Sequence, residues 1–327
     1  MSVYDDDGTL HPVRSTALWE AKRIHIRENM QQVMGKLPLR SLKPELEVRI
    51  EGVKPFPNYM QQRISIRAEK EEWLPAYLLI PRKIRGKTAA VLCLHQTVTP
   101  GKAITVLEGK SPNDQYAHEL AERGYVTLAP DYPGFGDYTK CDPYALHYVS
   151  TTMKGIWNHM RCIDVLQSLP EVDGERIGSI GHSLGGHNTL FLGVFDERVK
   201  AMVTSCGFNR FQDYYGGDLS GWSHKGYMPL IEKNYEKNPV KMPFDFTEVL
   251  GALAPRAVFV NAPVKDANFA VEGVVACVEA AAPVFDLYGV PDNLQVAYPD
   301  CAHDFPPDVR ELAYAFLDTR LKPVKAP

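Results

Sequence analysis

The stretch RIGSIGHSLGGHN, residues 176–188, decides how the rest of the chain is read. An apolar run, residues 177–180, leads into Gly181-His182-Ser183-Leu184-Gly185-Gly186, and a helix-like segment, residues 189–195, follows at once. Strand, glycine-flanked serine and helix, in that order, turn a G-x-S-x-G match into a nucleophile elbow. The chemistry accounts for the spacing. Ser183 has to sit on a sharp turn for its hydroxyl to project from the sheet edge. Gly181 and Gly185 let strand and helix approach where a Cβ would collide. The backbone N–H of Leu184 then opens a helix and points at any oxyanion formed beside Ser183.

Working outward, short apolar runs at 89–94, 125–128, 199–204, 257–260 and 294–297 alternate with helical patterns at 114–123, 146–169, 271–288 and 309–321. Strands separated by helices of that length predict a mostly parallel, doubly wound α/β sheet with helices on both faces. Three closely spaced runs upstream, 46–50, 63–67 and 76–80, predict an antiparallel lead-in to that sheet. Residues 15–37 read as an amphipathic helix that Ser15 caps, with Leu18, Ile24, Ile26, Met30 and Val33 at roughly helical spacing. The expected division is an N-terminal helical arm with leading strands over 1–70 and a catalytic domain over 71–327. The arm is expected to pack on the main domain or to join a second subunit as a homo-oligomer.

One interval breaks the alternation. Residues 207–246 carry Phe208, Phe211, Tyr214, Tyr215, Trp222, Tyr227 and Tyr235 and no strand pattern. A connection that long within an α/β core is unusual unless functional. It leaves the sheet at the elbow's edge, so it is expected to form a cap. Its aromatics serve as a satellite core or as pocket walls. Tyr214, Tyr215, Trp222 and Tyr227 are the candidate substrate-binding residues within it, with His95 and His182 beside the elbow. His187 is a further candidate for the pocket wall.

A serine hydroxyl needs a base to take its proton, and the base needs an orienting acid. Of the 10 histidines, His303 lies in PDCAHDFP, between the last strand and the last helix, at the elbow's edge of the sheet. His182 and His187 share the turn and helix of Ser183 and are poorly placed to take its proton. The order Ser…Asp…His asks for an acid between 183 and 303. Asp266 follows the 257–260 strand, and Asp213 and Asp218 in the insertion are its rivals. Asp266 also reads as an N-cap for the segment after it. The second oxyanion donor belongs to the loop over 95–110 that follows the 89–94 strand, and the backbone N–H of Gln96 is the candidate.

Composition removes other classes. The chain has 327 residues, 45% apolar, and a net charge of -4 with both signs mixed throughout. No basic stripe suggests nucleic acid, and no apolar run approaches the roughly 18 residues of a membrane span. The acidic start is no secretory signal. The 6 cysteines include no C-x-x-C pair, which points to reduced thiols and a cytoplasmic location. No dinucleotide fingerprint, phosphate loop or metal-binding spacing is present, so no cofactor and no metal are expected.

These residues carry a family likeness. The elbow GHSLGG, Asp266, His303, the stretch Leu94-His95-Gln96, the segment ERGYVTLAPDYPGFGD at 122–137 and CAHDFP at 301–306 resemble the α/β-hydrolase superfamily. Within it the chain resembles the dienelactone-hydrolase-like and acetyl-xylan-esterase-like branch over roughly residues 70–322. The resemblance implies an α/β-hydrolase fold and a serine hydrolase that cleaves a small-molecule carboxylic ester through an acyl-enzyme. A C–C or amide bond hydrolase on the same fold is the alternative, with a non-catalytic binding module behind it. Dienelactone hydrolases carry a cysteine nucleophile where this chain has Ser183. The usual His-Gly after the oxyanion strand is His95-Gln96 here.

Overall fold

A computed structural model describes residues 2–4, 10–39, 43–107 and 111–322. Among the described residues eleven strands, β1 (Ser2–Tyr4), β2 (Leu10–Pro12), β3 (Val48–Pro55), β4 (Tyr59–Arg67), β5 (Trp73–Pro81), β6 (Thr88–Leu94), β7 (Val126–Pro130), β8 (Val172–His182), β9 (Val199–Ser205), β10 (Ala257–Asn261) and β11 (Leu294–Ala297), form two sheets. β1 and β2 pair only with each other, antiparallel. The other nine form one sheet in the order β11-β10-β9-β8-β6-β7-β5-β4-β3. From β11 to β7 every neighbour is parallel. β5 returns antiparallel to β7, and β4 and β3 continue antiparallel beyond it.

Alternation along the strands places helices on both faces. In β6, Ala90, Leu92 and Leu94 enter one apolar cluster, and Ala89, Val91 and Cys93 enter the other. The first cluster is covered by α1 (Thr16–Met34), α3 (Thr151–Ser168), α4 (Leu184–Phe195), α6 (Phe246–Ala252) and α7 (Val271–Leu287), and the second by α2 (Tyr116–Glu122) and α8 (Pro307–Leu321). Strands buried on both faces read as continuous apolar runs, which is why β6, β9 and β10 stand out in the sequence.

β4 pairs with β5 along its whole length, so one sheet runs across the boundary expected at 70/71. The apolar stripe of α1, Trp19, Ile26, Met30, Val33 and Met34, is buried in the same cluster as α3 and α4. Its own chain covers that stripe, so it is not free for a second subunit; Leu18 and Ile24 stay exposed. The third helix begins at Thr151 rather than 146. Ser150 caps it by accepting the Met153 N–H at 3.0 Å. Of the 95–110 loop, residues 108–110 lie outside the described residues.

The insertion contains no strand. It runs through short 3₁₀ turns and one short helix, α5 (Leu230–Tyr235), before α6 begins. Phe208, Phe211, Trp222 and Phe246 pack, stacked or edge-on, with centroids 5.3 to 5.9 Å apart and merge with the main core. Both oxygens of Asp245 accept the Phe211 N–H, at 3.0 and 3.2 Å, tying the start of the cap to the start of α6. The insertion is therefore an extension of the core.

Among the described residues no helix is long and apolar enough to cross a membrane. All six cysteines are free.

Candidate active site

The chain order reverses between β8 and β6, which are neighbours in the sheet while β7 lies on the far side of β6. Ligand crevices in doubly wound sheets open at such a switch point, beyond the carboxyl ends of the strands. Both the elbow, after β8, and the 95–105 loop, after β6, emerge there.

Ser183 joins β8 to α4 with φ 53° and ψ −116°, a conformation that L-residues hold only when the surroundings impose it. The surroundings do. The Ser183 N–H donates to Ser205 O at 2.8 Å, and Gly186 N–H returns to Ser183 O at 2.8 Å. A Cβ on Gly181 would lie 2.2 Å from Gly185 O, and one on Gly185 would lie 1.9 Å from Leu94 O. Glycine at both positions is thus a packing requirement. The close approach of Gly185 to Leu94 also brings the start of α4 against the loop after β6. Leu184 and Gln96 flank this contact, and neither backbone N–H has a backbone acceptor among the described residues.

His303 and Asp266 meet because the segments after β10 and β11 run side by side. Beyond the paired strands, Ala262 N–H donates to Ala297 O, Val264 N–H to Pro299 O and Lys265 N–H to Cys301 O. His303 Nδ1 lies 3.0 and 2.9 Å from the two Asp266 carboxylate oxygens. Asp266 Oδ1 also accepts the N–H groups of Asn268 at 2.8 Å and Phe269 at 3.1 Å. Burial, which leaves its side chain 1% exposed, pushes the Asp266 pKa up. The hydrogen bond and charge of His303 and the two backbone donors outweigh that and hold it below the usual value. A carboxylate only accepts, so Nδ1 carries the proton and Nε2 presents a lone pair. No hydrogen bond among the described residues engages that Nε2 or the Ser183 hydroxyl, as is common where the bond tightens only around substrate.

The rival acids are placed elsewhere. Asp213 pairs with Arg210 at 2.7 Å, and Asp218 caps a 3₁₀ turn through the Ser220 N–H. Asp266 is not the N-cap of α7, which starts after Ala270; its Oδ1 closes a turn through the Asn268 and Phe269 N–H groups, and Oδ2 is left for His303.

Ser183 and Leu184 open on a cavity of about 160 Å³ walled by Tyr214, Trp222, Tyr227, Phe269 and His187, with Thr97 at its rim. Three of the expected pocket residues stand apart. Tyr215 is 61% exposed, with its hydroxyl bonded to Asn268 Oδ1, so it lies outside the wall. His95 is buried at the start of the loop after β6. Its Nδ1–H donates to Gln96 O at 2.6 Å, and its Nε2 accepts the Tyr132 N–H at 2.9 Å. His182 points under the elbow at Ser205 Oγ, 2.9 Å away, with its ring 4.9 Å from that of His303. Burial first, and His303 second, push its pKa down to about 3, so it packs there as a neutral ring. His187 takes the place expected of His182. It lies four residues beyond Ser183 on α4, so one helical turn stacks it on the cavity side. Phe269 carries no sequence signal beyond its nearness to Asp266.

A second layer holds the loops. Lys102, 2% exposed, lies 2.6 Å from Asp131 and 2.7 Å from Asp137, joining the segment after β6 to the one after β7. Asn261 Nδ2 donates to Ser205 Oγ at 2.8 Å and to Asp304 O at 2.9 Å, anchoring the residue beside His303. Cys206, Asp266 and His303 offer donor atoms within 4.8 Å of one another. The carboxylate and imidazole there already bond to each other.

The chain matches the dienelactone hydrolase family over residues 74–219, a span that includes the elbow and stops before Asp266 and His303. YtaP of Bacillus subtilis (strain 168), named as a hydrolase by inference, is 27% identical over 311 residues, 90% of this chain and 98% of its own. The glucuronoyl esterase from Solibacter usitatus superposes with a TM-score of 0.77 at 18% identity, covering 97% of this chain and 96% of that one. Acetyl xylan esterase 1 from Thermoanaerobacterium sp. JW/SL YS485 does so with a TM-score of 0.59 at 16% identity, covering 90% and 92%. With an elbow at the switch point of its sheet and a superposition along nearly its whole length, the chain has the α/β-hydrolase fold.

Proposed function

We propose that the protein is a serine hydrolase of carboxylic esters, working in the cytoplasm on a small-molecule substrate. His303 Nε2 takes the Ser183 proton as Oγ attacks the ester carbonyl. The resulting oxyanion is held by the Leu184 and Gln96 N–H groups, the first of them aided by the positive end of α4. Asp266 keeps His303 in the required tautomer and stabilises the imidazolium that forms. His303 then protonates the departing alcohol, and water repeats the sequence in reverse on the acyl-enzyme.

The observation that carries this reading is the His303–Asp266 pair, 2.9 Å apart, at the same sheet edge as Ser183 in its strained turn. The solved relatives named above are esterases, which supports the ester bond as the one cleaved. The six free thiols support the cytoplasmic placement. Residues 207–246 act as the cap in this reading.

The test is Ser183→Ala. The variant should lose turnover of nitrophenyl acetate and labelling by a fluorophosphonate probe, while its circular dichroism matches that of the parent. Turnover at the parent rate would overturn the assignment.

A further inference from the structure

The cavity beside Ser183 has a size, a wall chemistry and a side, and together these define an acyl group. Its volume is about 160 Å³. A cavity of about 150 Å³ lined by apolar side chains accommodates benzene, so the space suits a group of about six heavy atoms. Its walls are Tyr214, Trp222, Tyr227 and Phe269, with Leu184 and His187 on the elbow side. Trp222 is 3% exposed and packed on its far side by Phe211 and Phe246, so the wall is backed by core.

None of the lining residues is Lys, Arg, Asp or Glu. Burial holds His187 neutral, with its pKa pushed down to about 3, and raises the tyrosine hydroxyls, Tyr214 to about 12. A charged substrate group placed there would lose its hydration and meet no counter-charge.

Ser183 and Leu184, which hold the acyl carbon and its oxyanion in the ester-hydrolase reading, border the cavity, so the group it receives is the one carried on that carbon.

Resting on the ester-hydrolase reading, we propose that the enzyme selects uncharged acyl groups of about six heavy atoms, compact chains or a single ring, and rejects both long chains and acyl groups that carry a carboxylate.

The experiment uses the intact protein and nitrophenyl esters of acetate, butyrate, pentanoate, benzoate, decanoate and glutarate, the last with its second carboxylate free. Each kcat/KM is divided by the ester's rate constant with hydroxide. The normalised value should rise about fourfold per methylene from acetate to pentanoate, the worth of a buried CH₂. It should stay high for benzoate and fall at least tenfold for decanoate. The glutarate ester should lie about 100-fold below pentanoate. Decanoate or glutarate matching pentanoate would overturn the proposal.

Trp222→Leu enlarges the cavity and should move the optimum to longer chains. Because that variant removes a core residue, competition by phenylboronic and octylboronic acids on the unmodified enzyme gives a second reading. The phenyl compound should bind tighter, and the reverse order would overturn the proposal. The two levels of inference fail separately. Absent ester turnover and absent serine labelling sink the hydrolase reading. Turnover with a flat or inverted preference for size and charge sinks only the acyl-pocket proposal.

Discussion

Asp266→Asn probes the relay with almost no change of shape. In the parent, Oδ1 accepts the N–H groups of Asn268 and Phe269, and Oδ2 is left to His303 at 2.9 Å. Asparagine has one acceptor and one donor end. The two backbone donors claim its oxygen, so its amide NH₂ turns to His303 Nδ1. Donor would then face donor unless the imidazole moves its proton to Nε2. That change satisfies the buried contact but leaves Nε2–H directed at the serine, with no lone pair to take its proton. The same tautomer error in other Ser-His-Asp enzymes costs about 10⁴ in kcat, or about 5 kcal/mol of barrier. Because the backbone bonds are kept, stability should change by no more than about 1 kcal/mol. Steady-state kinetics on a nitrophenyl ester, with urea unfolding of the same preparations, measures both. A variant within tenfold of the parent rate would refute the role assigned to Asp266. A large loss of stability would refute the assignment of hydrogen bonds at its two oxygens.

Gly185→Ala places a Cβ 1.9 Å from the Leu94 carbonyl oxygen, a backbone atom that cannot rotate away. It should cost about 3 kcal/mol or more in urea unfolding or prevent folding, and a parent-like midpoint would show that the elbow tolerates a side chain. Lys102→Met leaves Asp131, which is 1% exposed, without its cation. The expected loss is about 3–5 kcal/mol, measured by urea unfolding, with increased hydrogen exchange in residues 95–105; a loss below 1 kcal/mol would contradict a structural role for the pair. Burial pushes the pKa values of His159, His182 and His187 from 6.5 down to about 3. Between those values the unfolded chain binds protons that the fold does not, so stability should fall as pH drops from about 6.5 towards 3. Asp266, whose pKa is lowered, adds stability that is full above its unfolded value and is lost as pH falls through the folded one. Urea midpoints that stay flat between pH 7 and 4 would contradict these burials.

Local periodicity made much of the architecture legible before any coordinates. A strand buried on both faces has to be apolar throughout, so β6, β9 and β10 are visible as runs. The elbow is visible because Gly181 and Gly185 are required within a few residues of Ser183. Chain order then narrowed the acid and base to a few side chains, since parallel strands deliver their following loops to one sheet edge.

The choice among those side chains depended on contacts that no local pattern encodes. The register of β10 on β11, carried into the loops as far as Lys265 and Cys301, puts Asp266, and neither Asp213 nor Asp218, against His303. That pairing brings together residues 37 apart in sequence. The pocket was decided in the same way. Tyr214 and Tyr215 are neighbours in the chain, yet one borders the cavity and the other is exposed, because the backbone turns at Tyr215 with φ 45°. His187, and not His182, reaches the cavity, because one residue ends a strand and the other lies a turn into a helix. The apolar stripe of α1 predicted burial without naming its partner, and the packed fold supplied α3 and α4. By itself, then, the sequence determined the reaction chemistry and the order of elements, both written in short-range spacing. The tertiary structure decided which carboxylate meets His303 and which rings border the cavity beside Ser183, because both depend on where segments far apart in the chain come to rest.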